Sequence, residues 1–88
     1  MYRVNWDFDV QLELLERWAL APPKLRARIS AALNRIEHRL ASDPFDKTES
    51  RSDDNRVSFE LPLGIEFTVD SISMTFHVER AWLVKEHS

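Results

Sequence analysis

RVSFELPLGIEFTVD, residues 56–70, sets Val57, Phe59, Leu61, Leu63, Ile65, Phe67 and Val69 at odd positions without a break, and it holds the chain's single glycine, Gly64. Alternation at period two marks strands with one face buried. Pro62 interrupts the run, and a proline cannot donate to a strand ladder, so the stretch reads as two strands joined at a turn. A two-residue hairpin loop would flip the parity. A three-residue loop, Pro62-Leu63-Gly64, preserves it by pairing Leu61 with Ile65, with proline at the first loop position and glycine at a left-handed third. The expectation is a hairpin whose odd positions all face one core.

Downstream, Asp70-Ser71-Ile72-Ser73 reads as a turn, followed by a last strand that carries Met74, Phe76 and Val78 inward. Upstream, between Ala41 and Asn55, the apolar period lapses into Ser, Asp, Pro, Lys and Glu, the composition of a solvated loop, with Phe45 pinning its start. Before that loop Leu25, Ile29, Ala32, Leu33, Ile36 and Leu40 recur at three and four residues, the clearest helical pattern in the chain. Pro22 and Pro23 suit its first turn. The same prolines stop a preceding helix, in which Val10, Leu14 and Trp18 share one side with Leu12, Leu15 and Ala19 beside them, capped near Asp7 or Asp9. The opening residues Tyr2, Val4 and Trp6 alternate with Arg3, Asn5 and Asp7 as a short strand. The order β-α-α-β-β-β predicts an α+β fold of two layers, a helical hairpin packed on one face of a mainly antiparallel sheet, as a single domain over residues 1–88.

A chain of 88 residues buries only about 60 to 65% of its unfolded surface, so both helices are needed on the same side of the sheet to close one core. The absence of cysteine removes a disulfide framework, a thiol nucleophile and a thiolate zinc site, in keeping with a cytoplasmic location. No long apolar run suggests a membrane span, and no leader pattern suggests secretion.

The opening strand, the helical hairpin, the exit LASDPF at residues 40–45, the hairpin RVSFELPLGIEFTVD and a last strand ending in VERAW (78–82) together resemble the RelE/ParE superfamily of toxins from bacterial toxin–antitoxin modules. The resemblance covers nearly the full length through architecture, with loose residue motifs. It implies a small cytoplasmic protein that cuts messenger RNA on the ribosome or poisons DNA gyrase, neutralised by an antitoxin whose extended segment wraps its surface. In the RNA-cutting branch, arginines line the open sheet face. Arg56 matches the one entering the second strand and Arg80 the one near the end of the last. The middle position falls near Gly64 to Glu66, where there is no cation, and Trp82 lies near the place of the terminal tyrosine.

If odd positions of the hairpin face the helices, Arg56, Ser58, Glu60, Glu66 and Thr68 face outward with Thr75, His77 and Glu79. RNA cleavage needs a base for the 2′-hydroxyl proton and cations to hold the phosphate as charge develops. His77 suits the first role, and Arg56 and Arg80 the second. Three glutamates on the same face repel a polyanion, and ordinary solvated strand residues explain the same pattern. Arg80 continues the inward series Met74, Phe76, Val78; a bulge near Glu79 turns it to solvent, and the alternative is an anchor at the mouth of a cleft beside Trp82.

Lys24, Arg28, Arg35 and Arg39 form one stripe on the second helix, suited to phosphates or an acidic partner segment, or simply a solvated face balanced by Asp43, Asp46, Glu49, Asp53 and Asp54 in the loop that follows. The net charge of −3 argues against a dedicated nucleic-acid enzyme. A single glycine leaves no phosphate-binding loop, and His38, His77 and His87 are too scattered to specify a metal, so no cofactor is expected. Three readings remain: a toxin-family protein bound by an antitoxin, a ribosome-dependent endonuclease using Arg56, His77 and Arg80, and a non-toxic interaction module, including a homodimer.

Overall fold

The computed structural model describes residues 1–45, 48–50 and 55–85. In chain order it contains β1 (Arg3–Trp6), α1 (Phe8–Leu20), α2 (Pro23–Ser42), β2 (Thr48–Ser50), β3 (Asn55–Glu60), β4 (Leu63–Asp70) and β5 (Thr75–Leu83). The strands form one sheet in the order β1-β5-β4-β3-β2. All pairings are antiparallel except β1 with β5, where the helical hairpin supplies the first part of the crossover and the sheet itself the rest. The architecture is the two-layer α+β arrangement that the order of periods implies, with one strand more: β2 lies inside the stretch read as loop, on the β3 edge.

Local chemistry sets the helix limits. The Asp7 carboxylate accepts from the backbone N–H of Asp9 and Val10 at 2.9 and 3.4 Å, capping α1. Pro22 and Pro23 separate α1 from α2, with Pro23 in the first turn, where a missing N–H costs nothing. Leu14 of α1 and Ile29, Ala32, Ile36 and Leu40 of α2 pack on Leu63, Ile65, Phe67, Phe76 and Val78, all under a tenth exposed. Phe67 and Phe76 meet edge to face at 5.7 Å between ring centres. Tyr2, Val4 and Trp6 point into the same layer, as their period implies.

The hairpin departs from its expected register. Glu60 pairs with Leu63, Phe59 with Gly64, Ser58 with Ile65, Val57 with Glu66 and Arg56 with Phe67, so the loop is the two residues Leu61-Pro62, joined by a cis peptide bond. A two-residue loop flips the parity. Odd positions face the helices in β4, whereas in β3 it is Arg56, Ser58 and Glu60 that do so, and Phe59 and Leu61 are 44% and 52% exposed. Nor does Gly64 adopt a left-handed conformation.

The turn before β5 forms where expected: the Asp70 side chain accepts from the backbone N–H of Ile72 and Ser73 at 3.0 and 3.2 Å. Met74, expected inward, belongs to this turn, with φ 53° and 43% exposure.

Candidate partner-binding surfaces

The helix layer and the bare side of the sheet each present a surface. On the helix side a groove of about 360 Å³ opens between α1 and α2, walled by Trp6, Leu14, Leu15, Trp18, Ile29 and Leu33. Its two indole donors are already committed. The Trp6 indole N–H donates to Glu37 at 2.9 Å, and the Trp18 N–H lies 3.0 Å from Ser30 Oγ and 3.2 Å from the Arg26 carbonyl. With these donors occupied, what the groove offers a partner is chiefly apolar wall, with the Gln11 amide at its edge. Beyond it α1 continues outward as a stripe of Phe8, Leu12 and Leu15, exposed by 74, 44 and 57%. The spacing i, i+4, i+7 makes this a second apolar face on the same helix. Leu12 and Leu15 stand on that outer face rather than in the core beside Leu14.

The bare face of the sheet is organised in rows, because residues paired across strands share a face. Phe59, Gly64 and Trp82 form one row, and the Phe59 and Trp82 rings meet edge to face at 5.8 Å over the glycine. In the next row Glu49, Val57, Glu66 and Arg80 stand side by side. Glu66 accepts from Asn55 at 3.0 Å and from Arg80 at 3.4 Å. Asn55, Thr68, His77 and Asn5 form a third row, with the Asn5 amide 3.0 Å from His77 Nδ1, and Asp70, Thr75 and Arg3 a fourth.

Arg80 reaches this face through a bulge. The β4–β5 register shifts between Glu66 and Phe67, so that Phe67 pairs with Val78 and Glu66 with Arg80, leaving Glu79 as the extra residue. The Arg80 side chain is 74% exposed and lies 5.9 Å over the Trp82 ring. His77 and Arg80 therefore share the bare face, but Arg56 does not. Its strand position is opposite Phe67 in the core layer, its guanidinium sits 4.6 Å over the Phe45 ring, and it donates to Thr48 Oγ1 at 3.1 Å. The three residues expected to cooperate on a phosphate are thus divided between the two sides of the sheet. Glu60, counted among outward glutamates, is likewise on the helix side, and Glu49 takes a place on the bare face that no pattern in the sequence signalled.

The basic stripe of α2 is consumed in part by that same register. Arg39, with a side chain only 14% exposed, donates to Ser58 Oγ at 2.9 Å and to the Phe59 carbonyl at 3.2 Å, and reaches Glu60 at 3.5 Å. Arg35 pairs with the other Glu60 oxygen at 3.1 Å. Arg28 lies at the far end of the helix with Leu25, Pro62, Leu83, Val84 and Lys85, and Lys24 is exposed. Glu60 of β3 balances Arg35 and Arg39; Asp46, Asp53, Asp54 and His87 lie outside the described residues. Among the described residues no group of histidine and acidic side chains is arranged to hold a metal ion, and no helix is long and apolar enough to cross a membrane.

A helical hairpin laid on one side of a sheet in this strand order, with only the first strand parallel to its neighbour, is the RelE-like fold. The chain is similar to one of the toxin–antitoxin complex RelBE2 from Mycobacterium tuberculosis, superposing with a TM-score of 0.72 over 93% of this chain and 96% of that one, at 16% identity. No family model matches the chain, and no curated protein matches it.

Proposed function

We propose that the chain is the toxin-family component of a toxin–antitoxin pair, and that its main partner is an antitoxin segment seated in the groove between α1 and α2. The observation that carries this reading is the apolar groove itself on a RelE-like fold, with Leu15 exposed, Trp6, Trp18 and Leu33 part-exposed along its walls, and buried Leu14 and Ile29 beneath them. A chain that keeps such a surface unfilled gains by covering it: removing apolar area from water is worth roughly 25 cal/mol per Å² before the costs of association. The endonuclease reading is weaker on this geometry, because Arg56 is committed to Phe45 and Thr48 on the far side of the sheet from His77 and Arg80.

Expression in a naive bacterial host tests the proposal. Growth should stop when the chain is produced alone and resume when the small reading frame beside its gene is co-expressed, and the two products should purify together. Leu15→Glu, which places a charge on the groove wall at an exposed position, should leave the arrest intact and abolish the rescue. Normal growth together with no complex between the two products sinks both halves of the proposal, and normal growth with a stable complex leaves the interaction module as the function.

A further inference from the structure

We propose that the bare side of the sheet binds an extended polypeptide segment bearing an arginine or lysine two residues from an apolar residue, with the cation on the Glu49–Glu66 row and the apolar side chain on the Phe59–Trp82 row. The inference is independent of the toxin reading.

The row of carboxylates is built around a covered floor. Val57 is only 2% exposed although it lies on the bare face, and with Glu66, Arg80 and Trp82 it lines a depression there. Glu49 and Glu66 flank this valine on either side, as its partners in β2 and β4. Glu66 is held at 16% exposure by its contact with Asn55, so its carboxylate is partly desolvated and already oriented. Paired residues on neighbouring strands stand about 5 Å apart, so Glu49 and Glu66 are rooted roughly 10 Å apart across Val57, a span that one guanidinium between the two carboxylates can bridge.

The chain itself shows the chemistry the face accepts. Arg80 lays its guanidinium between the Glu66 carboxylate, at 3.4 Å, and the Trp82 ring, at 5.9 Å, while remaining 74% exposed. This is a cation held by one aromatic wall and one carboxylate, the combination that recognises a basic side chain. At 3.4 Å and with that exposure the pair is weak, of the kind worth at most about 1 kcal/mol, and an incoming cation displaces it at little cost. Charge selects between ligands. The row carries two carboxylates against one guanidinium, and the chain as a whole carries −3, a field that attracts a basic segment and repels a polyanion. Geometry selects the form of the ligand. Successive rows on one face are two residues apart along a strand, about 6.8 Å, so side chains i and i+2 of an extended segment meet adjacent rows.

The test is an NMR titration of the isotopically labelled full chain with three probes: the peptide Ac-Thr-Leu-Thr-Arg-Thr-NH2, the same peptide with glutamate in place of arginine, and hexauridine. The arginine peptide, at up to about 5 mM, should move the amide signals of Val57 and Glu66 and the Trp82 indole signal, and the other two probes should not. Glu49→Gln should weaken the arginine peptide roughly two- to fivefold. Arg80→Ala, by removing the internal competitor, should tighten it by a similar factor, whereas a nucleic-acid site would lose affinity with that substitution. Glu49 is exposed, so its variant is a fair test even if changes at Glu66 disturb Asn55. Shifts at these residues with hexauridine, weaker peptide binding in Arg80→Ala, or no movement of these signals with the arginine peptide would each overturn the proposal.

Discussion

A Cβ on Gly64 would sit 2.6 Å from Trp82 Cε2, 2.7 Å from Trp82 Nε1 and 2.9 Å from Phe59 Cε1, all closer than side chains tolerate. The single glycine of the chain is therefore required by the indole laid against it, and not by any left-handed backbone. Gly64→Ala should destabilise the protein by about 1–3 kcal/mol through this crowding, measured by urea unfolding. Trp82→Ala in the same chain should recover much of that loss, because the two positions share one contact; additive losses would show the strain to lie elsewhere. Asp70 makes a second prediction at this scale. Its carboxyl is held below the usual aspartate range, chiefly by the backbone N–H of Ser73, then by that residue's hydroxyl. A folded pKa below the unfolded value means the carboxylate's contribution is complete above about pH 4 and fades as pH falls through the lowered value. Asp70→Asn should accordingly lose stability near neutrality and converge with the parent under acid conditions, as followed by thermal unfolding at a series of pH values. A constant gap down to pH 2 would contradict this.

At the scale of elements, the informative case is β3. Among the described residues periodicity located every helix and strand except β2, and it set the inward faces of β1 and β4, and of β5 at Phe76 and Val78 though not at Met74, because in those elements only apolar residues reach the core. It failed on β3, where the core-facing positions are Arg56, Ser58 and Glu60. Three polar residues point inward there because α2 supplies partners for them: Arg39 for Ser58 and Glu60, Arg35 for Glu60, and Phe45 just beyond the helix for Arg56. No rule of hydrophobic spacing reads a buried polar layer, since its energy lies in pairings between residues about twenty positions apart. The clue available was Pro62, whose two-residue turn with Leu61 changes the parity of one strand against the next. β2 escaped for a different reason: three residues, Thr-Glu-Ser, carry no apolar period at all. The bulge at Glu79 was legible, because Arg80 continues an apolar series and a guanidinium does not enter a core unpaired. The polar layer yields its own test. Arg39→Ala should cost about 1–3 kcal/mol, since it strips buried Ser58 and half-buried Glu60 of a charged donor, while Arg35→Ala, at a half-exposed pair, should cost less than about 1 kcal/mol. Equal losses in urea unfolding would mean that Arg39 acts as one more surface charge.

For the whole molecule, covering one side of the sheet with only two helices leaves two surfaces of opposite character. The helix side is greasy, with Leu15 and Trp18 open above a core that is already closed by Leu14, Ile29 and Ile36. The sheet side is a mosaic of aromatic, acidic and amide rows whose members are engaged with one another. A single core in a chain of this size leaves little margin of stability. Occupation of the groove by a partner that binds only the folded state adds to that margin by mass action, about 2.7 kcal/mol when the free partner stands at a hundred times its dissociation constant. The midpoint of thermal unfolding should therefore climb with partner concentration. Leu15 is 57% exposed and contributes little to the core, so Leu15→Glu should unfold at nearly the parental temperature when alone and gain nothing from the partner. A variant that still rises with added partner would move the binding site off the groove. One that melts early by itself would show instead that this leucine belongs to the folded core.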